Sequence, residues 1–142
     1  MACPFHPAVT FQVEPFNRKE LWPLMRENWF DKNGQGEPNV DWAMYQQMKN
    51  LQVIAMRAAG KLVGYAFVIT SIFPYKMDEL TSFIQQYYVQ KPYRGYFRSL
   101  LKEIIKASKG TLYITTQLDK DCGKVLEKFG FVPTERIYRR AV

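Results

Sequence analysis

Histidine and cysteine are almost missing from this chain. Its 142 residues hold one histidine, His6, and two cysteines, Cys3 and Cys122, too few for a conventional zinc site and too few for a disulfide framework. No metal site is therefore expected, and His6, placed between Pro4 and Pro7 near the terminus, receives no catalytic role. Long apolar runs are absent as well, so no segment reads as membrane-spanning. Met1–Pro7 also has neither the basic start nor the apolar stretch of a signal peptide, which makes the cytoplasm the expected location. Neither Gly-Lys-Ser/Thr after a glycine-rich loop nor Gly-x-Gly-x-x-Gly occurs, which sets aside Walker-type and dinucleotide-binding loops. Acidic residues are the minority: 13 against 20 Lys and Arg, a net charge of +7. Such a surface favours a polyanion, whether nucleic acid, anionic membrane or a phosphorylated cofactor, and charge alone does not choose among them.

What is present fits one domain over 1–142, with residues 1–8 as a loose N-terminus and enough chain for its own core. Val9, Phe11 and Val13 alternate with Thr10, Gln12 and Glu14, the pattern of a half-buried first strand. Asn17 with Glu20 makes a capping box for a helix whose stripe is Leu21, Leu24, Met25 and Trp29, ending at 33–36 (Asn-Gly-Gln-Gly). Asp31 to Asn39 reads as a polar loop. Asp41 then caps a second helix carrying Trp42, Tyr45, Met48 and Leu51.

Leu51–Arg57 and Lys61–Thr70, joined at Ala59-Gly60, read as a β-hairpin. Its second strand is apolar on both sides and belongs in mid-sheet. Phe73 to Glu79 breaks the pattern, placing Asp78 and Glu79 in a loop, before a strand over Ser82–Val89. A helix with Phe97, Leu100, Leu101, Ile104 and Ile105 on one face follows, then Lys109-Gly110, a strand over Thr111–Thr116, and a helix capped by Asp119 with Cys122, Val125, Leu126 and Phe129 on its apolar face. Cys122 accordingly reads as a buried thiol. A last strand is expected over Phe131–Val132–Pro133 and Glu135–Arg140. The order is strand, two helices, three strands, helix, strand, helix, strand.

The stretch 87–101, YYVQKPYRGYFRSLL, organises the rest. A strand, a short basic turn and a helix N-terminus aim backbone N–H groups and a positive dipole end at one spot, as phosphate sites do. This stretch resembles the acetyl-CoA loop of the GNAT N-acetyltransferases, whose pattern is Gln/Arg-x-x-Gly-x-Gly/Ala. Arg94 fills the first position and Gly95 a common extra glycine, while Phe97 and Ser99 replace the two named glycines. Leu126-Glu127-Lys128-Phe129-Gly130-Phe131 is similar to the family's Tyr-Glu-Lys-x-Gly-Phe, and the element order agrees from Val9 to Arg139.

The resemblance implies an α/β (α+β type) fold, a mixed central sheet of about six strands flanked by about four helices. It also implies transfer of an acetyl group from acetyl-CoA to a primary amine by direct attack. The implied cosubstrate contacts are Tyr88 and Val89 on the strand, Arg94, Gly95, Tyr96, Phe97, Arg98 and Ser99 at the diphosphate, and Asp119 on the pantetheine arm. The loop between the first two helices would wall the acceptor. The family's usual acid is Leu126 here, and Gln85 and Gln86 stand where carboxylates are common. Tyr88 and Tyr138 are then the candidate catalytic acids, with Tyr87 a further one, and water serves as base.

Three functions compete on these residues. The first is an N-acetyltransferase acting on a small-molecule or protein amine. The second is a GNAT-shaped domain weakened in catalysis that binds another protein, in line with Leu126, Phe97 and the missing carboxylates. The third is a nucleic-acid binder using the basic and aromatic residues of Lys91–Arg98 and Arg136–Arg140. The basic residues are spread along the chain and are already needed beside a polyanionic cosubstrate, so the third is the least economical. The last strand can close the sheet or pair with a second copy in a homodimer.

Overall fold

A computed structural model describes residues 8–32, 34–73, 76–116 and 122–142. Its elements are β1 (Val9–Glu14), α1 (Arg18–Asp31), α2 (Trp42–Gln47), β2 (Leu51–Ala58), β3 (Lys61–Phe73), β4 (Lys76–Val89), a 3-10 turn over Lys91–Tyr96, α3 (Phe97–Ala107), β5 (Thr111–Tyr113) and α4 (Gly123–Lys128). The strands form one mixed sheet in the order β1-β2-β3-β4-β5. β1 to β4 are antiparallel neighbours, and β5 runs parallel to β4.

Alternation on β3 explains the layering. Tyr65 and Phe67 pack with Leu21, Leu24 and Met25 of α1 on one face, while Ala66 and Val68 pack with Leu100 and Ile104 of α3 on the other. A strand covered by helices on both sides reads as a continuous apolar run, as its sequence does. Asn17 caps α1 by accepting from the Lys19 and Glu20 amides at 3.1 and 3.4 Å. Arg57 binds Glu14 and Glu20, each at 2.7 Å, tying β1, β2 and the start of α1 together. Gly110, between α3 and β5, has φ +70°, and a Cβ there would overlap the Leu80 carbonyl. The turn that lays β5 beside β4 therefore requires glycine.

Several elements differ from the sequence reading. α1 stops at Asp31, and its buried stripe runs Leu21, Leu24, Met25 and Asn28, whereas Trp29 is 40% exposed. Spacings of three, four and seven residues put position 28, not 29, beneath the helix. The Trp29 indole instead donates to the Gly36 carbonyl at 2.9 Å. Met48 caps α2 and Leu51 opens β2, so neither belongs to the second helix. β3 ends at Phe73, at the start of the expected break, but β4 already begins at Lys76, so Asp78 and Glu79 lie in a strand and not in a loop. β5 ends at Tyr113.

Among the described residues the sheet has five strands. The sixth, expected within Phe131–Arg140, is irregular chain with Val132 74%, Ile137 79% and Tyr138 85% exposed. Pro133 supplies no ladder donor there, and no apolar face of the segment is covered. No helix among the described residues is long and apolar enough to cross a membrane.

Candidate functional site

The site begins where the two parallel strands part. β4 and β5 are in register only at Thr81–Thr111, Ser82–Leu112 and Phe83–Tyr113. Ser82 pins that paired end: wholly buried, its hydroxyl donates to the Lys109 carbonyl at 2.9 Å, accepts from the Lys109 amide at 2.8 Å, and meets the Thr70 hydroxyl at 2.9 Å. Beyond Phe83 the strands separate, and the flank of β4 from Ile84 to Val89 lines a cleft of about 400 Å³ in place of a neighbouring strand. α1 closes the cleft on one side, Phe97 on another, and Thr115, Thr116 and Cys122 opposite β4.

β4 carries a bulge at the throat of this cleft. Val68 faces Ile84 and Phe67 faces Gln86, so Gln85 has no counterpart in β3. A bulge breaks the alternation of side chains, and here Gln85 and Gln86 both reach the Tyr45 hydroxyl, each at 3.0 Å. They belong to a directed chain: Asn28 Nδ2 donates to Tyr65 Oη at 3.1 Å, Tyr65 donates to Gln86 Oε1 at 2.6 Å, Gln86 Nε2 donates to Tyr45, and Tyr45 donates to Gln85 Oε1. Burial drives the Tyr65 hydroxyl far above the ordinary tyrosine range, so its proton stays in the chain.

Tyr88 lies on the same wall, 8% exposed, and donates to Glu27 Oε2 at 3.3 Å. Burial, then the negative charges of Glu27 and Asp31, hold its hydroxyl above the ordinary tyrosine value, against a smaller opposing pull from Arg94. Tyr88 is thus a protonated donor at neutral pH. Arg94 turns back over the cleft, donating to the Val89 carbonyl and to Asp31 Oδ2, both at 3.1 Å, with its guanidinium 5.7 Å from the Tyr88 ring centre.

Solved structures with this architecture include acetyltransferases of differing substrates. A ribosomal-protein-alanine N-acetyltransferase from Brucella melitensis biovar Abortus 2308 is similar at TM-score 0.70 and 16% identity, covering 95% of this chain and 98% of that one. A Trypanosoma brucei acetyltransferase matches at 0.69 and 17%, covering 95% and 100%. A glucosamine-6-phosphate N-acetyltransferase from Arabidopsis thaliana matches at 0.66 and 9%, covering 93% and 98%. No protein-family model and no curated protein matches the sequence. The fold is that of the GNAT N-acetyltransferases.

Within this GNAT fold the sequence-derived residues fall into three groups. Tyr88, Val89, Arg94 and Phe97 come together on the cleft wall. Gly95, Tyr96, Arg98 and Ser99 form the turn into α3 just outside it, where the first turn carries no acidic residue. Phe97, which takes the place of a glycine, points inward: its ring packs 5.7 Å from that of Tyr87. Gly95 meets open space on its outer side, so internal packing does not account for a glycine there. The Phe97 amide itself is engaged by the Arg94 carbonyl.

Tyr138 is not brought to the cleft; it sits exposed on the C-terminal segment. Asp119 lies outside the described residues. Leu126 is buried in α4.

Sequence reasoning missed Asn28, Cys122 and the Tyr65–Tyr45 chain. Cys122, expected on an apolar helix face, is the N-terminal boundary residue of α4; its thiol lies 3.3 Å from the Tyr87 hydroxyl and 3.4 Å from Thr116 Oγ1 on the cleft wall. Asn28 did leave a signal, as a polar residue seven positions after Leu21 on the stripe that faces the sheet.

Proposed function

We propose that the protein is an N-acetyltransferase that moves an acetyl group from acetyl-CoA to a primary amine. The observation that carries this reading is the cleft itself, open between parallel strands of a GNAT fold and lined by the flank of β4. A slot bordered by a strand flank suits an extended amide-bearing chain, which can use main-chain hydrogen bonds in place of a neighbouring strand. The turn into α3 supports the diphosphate assignment: Lys91, Arg94 and Arg98 fall within the turn and the first residues of α3, neither of which carries an acidic residue in its first turn, and Gly95 leaves room for close approach. The fit is partial at Arg94 and Phe97, since groups on both already have partners inside the protein.

In this reading β4 holds the thioester at the bulge and α1 walls the amine. The amine nitrogen attacks the acetyl carbonyl carbon, a C–N bond forms and the C–S bond breaks. Tyr88 donates the proton that the departing sulfur takes up, and the surplus proton on nitrogen leaves to water. Positioning of the two reactants supplies most of the rate enhancement, with no covalent enzyme adduct needed. The neutral Gln85 and Gln86 hold the throat in shape through Tyr45.

Thermal-shift titration with acetyl-CoA tests the reading. At a hundredfold excess over Kd, stabilisation of about 2.7 kcal/mol is expected, roughly 9 °C for a chain of this size. Arg94→Glu should weaken that binding at least about tenfold. Free thiol should appear on adding a suitable amine. No shift at millimolar acetyl-CoA would remove the acyl-transfer reading and leave the architecture alone.

A further inference from the structure

Asn28 is the odd residue of the α1 core stripe. It is 5% exposed, it lines the cleft, and its Oδ1 is the one buried side-chain nitrogen or oxygen among the described residues without a hydrogen-bond partner. Buried acceptors are rarely left so, and one at the wall of a cleft points to a group that arrives there. Its orientation is fixed by logic as well as packing. Tyr65 has a single proton, and that proton goes to Gln86 Oε1 at 2.6 Å. Towards Asn28, Tyr65 can therefore only accept, so the amide must turn Nδ2 to Tyr65, which leaves Oδ1 without a partner in a residue of the cleft wall.

The side of the sheet identifies the visitor. Asn28, Tyr65 and Tyr88 stand on the face covered by α1, whereas Phe97 and Tyr87 associate with the cluster covered by α3, the helix whose start carries the basic turn. A cosubstrate anchored at that turn approaches from the α3 face, and its reaction partner from the α1 face. A carbonyl oxygen accepts only, so the arriving group must be a donor, and in an amine acceptor that donor is N–H.

We propose that Asn28 Oδ1 receives an N–H hydrogen bond from the acyl acceptor, a primary amine entering along α1, and orients its nitrogen towards the gap between β4 and β5. The inference rests on the acyl-transfer reading. Tyr65 acts through Asn28 as a positioning residue, with Gln86, Tyr45 and Gln85 holding it in turn. Tyr88 and Glu27 border this side of the cleft, where the Asp31–Arg94 pair reaches over from the basic turn, and each of these charged groups already has a partner.

The test compares wild type, Asn28→Leu and Asn28→Asp in binding and in turnover with amines. Binding is read as the dissociation constant of CoA and, in wild type, from the ¹⁵N side-chain amide signal of Asn28. Turnover is acetylation kcat/KM in all three proteins, and glycinamide, n-butylamine and glucosamine are the probe amines throughout. Expected are unchanged CoA affinity in both variants and an Asn28 signal moved by at least one amine and not by CoA. For that amine, kcat/KM should fall roughly tenfold in Asn28→Leu, as loss of one neutral hydrogen bond implies, and fall less in Asn28→Asp, which keeps an acceptor oxygen at the same reach although it gives up the donor to Tyr65.

CoA affinity falling with the amine rate, equal losses in Leu and Asp, or an Asn28 signal that no probe amine moves would each overturn the proposal; the last leaves Oδ1 to an ordered water. If the Leu variant does not fold, the wild-type signal and the Asp variant decide. If wild type binds no CoA, acyl transfer fails separately, and the amine titration without CoA still decides the role of Asn28.

Discussion

Ser82→Ala should separate the stability of the sheet from the shape of its cleft. The hydroxyl is wholly buried and serves three partners within 2.9 Å, the Lys109 carbonyl, the Lys109 amide and the Thr70 hydroxyl. Alanine removes all three bonds and adds no volume. A buried backbone donor or acceptor left without a partner costs about 1–3 kcal/mol. Lys109 and Thr70 are not fully buried, so water regains part of that at each, and the lower end applies to both backbone groups. The expected loss is about 2 kcal/mol, or roughly 7 °C in Tm for a chain of this length. Differential scanning calorimetry measures the loss, and amide hydrogen exchange localises it: Thr111–Tyr113 should exchange faster, while β2 and β3 keep their protection. A Tm change below about 2 °C, or faster exchange spread evenly over the sheet, would show that Ser82 does not clasp β5 to β4.

Gly110→Ala probes the same junction from its other side; with φ at +70° and the Leu80 carbonyl in the way, it should cost at least about 2 kcal/mol by thermal melting, and a neutral result would deny the tight turn. Glu20→Gln tests the Arg57 cluster. The hydrogen bond from Arg57 holds the Glu20 carboxyl below its ordinary value of 4.5, so its contribution is present above that pH and lost as pH falls through the lower folded value; the variant should melt lower at neutral pH and show a flatter decline between about pH 5 and pH 3, and an unchanged acid limb would contradict the assignment. Tyr88→Phe, on the acyl-transfer reading, should lower kcat about a hundredfold with acetyl-CoA affinity kept within about twofold. Because the wild-type hydroxyl is held above 10.0, wild-type activity should show no loss from tyrosine ionisation below that pH, and full kcat in the variant would remove Tyr88 as the acid.

Much of the fold could be read from residues alone because its signals are local. β3 announces its central place by being apolar at both Tyr65–Phe67 and Ala66–Val68, and α3 announces its buried face through Leu100, Leu101 and Ile104. The turn at 91–99 was legible from charge, proline and glycine together. What escaped depends on relations between elements. The bulge at Gln85 exists only as an offset between β3 and β4, since nothing in Gln85-Gln86 itself states which strand step it faces. β5 reads as six residues of strand sequence, yet pairing lasts for three, because Ser82 and Gly110 fix one end while the other leaves for Cys122. Trp29 drew the helical stripe one position too far because its size outweighs the polarity of Asn28 in any hydrophobicity pattern.

β4 thus carries two tasks on one strand, divided at Phe83. At Thr81–Phe83 it is paired on both flanks, held by the Ser82 hydroxyl, and its contribution is stability. After Phe83, β3 still holds one flank while the other faces the cleft, and the bulge turns Gln85 and Gln86 to the α1 side. The paired half fixes the direction of the unpaired half, so the cleft is a rigid consequence of the sheet rather than a gap awaiting closure. It follows that substitutions at Ser82 or Gly110 should move Tm and ligand affinity together, whereas Tyr88→Phe, which keeps the ring and removes one hydroxyl on the open half, should move the chemistry with little change in melting.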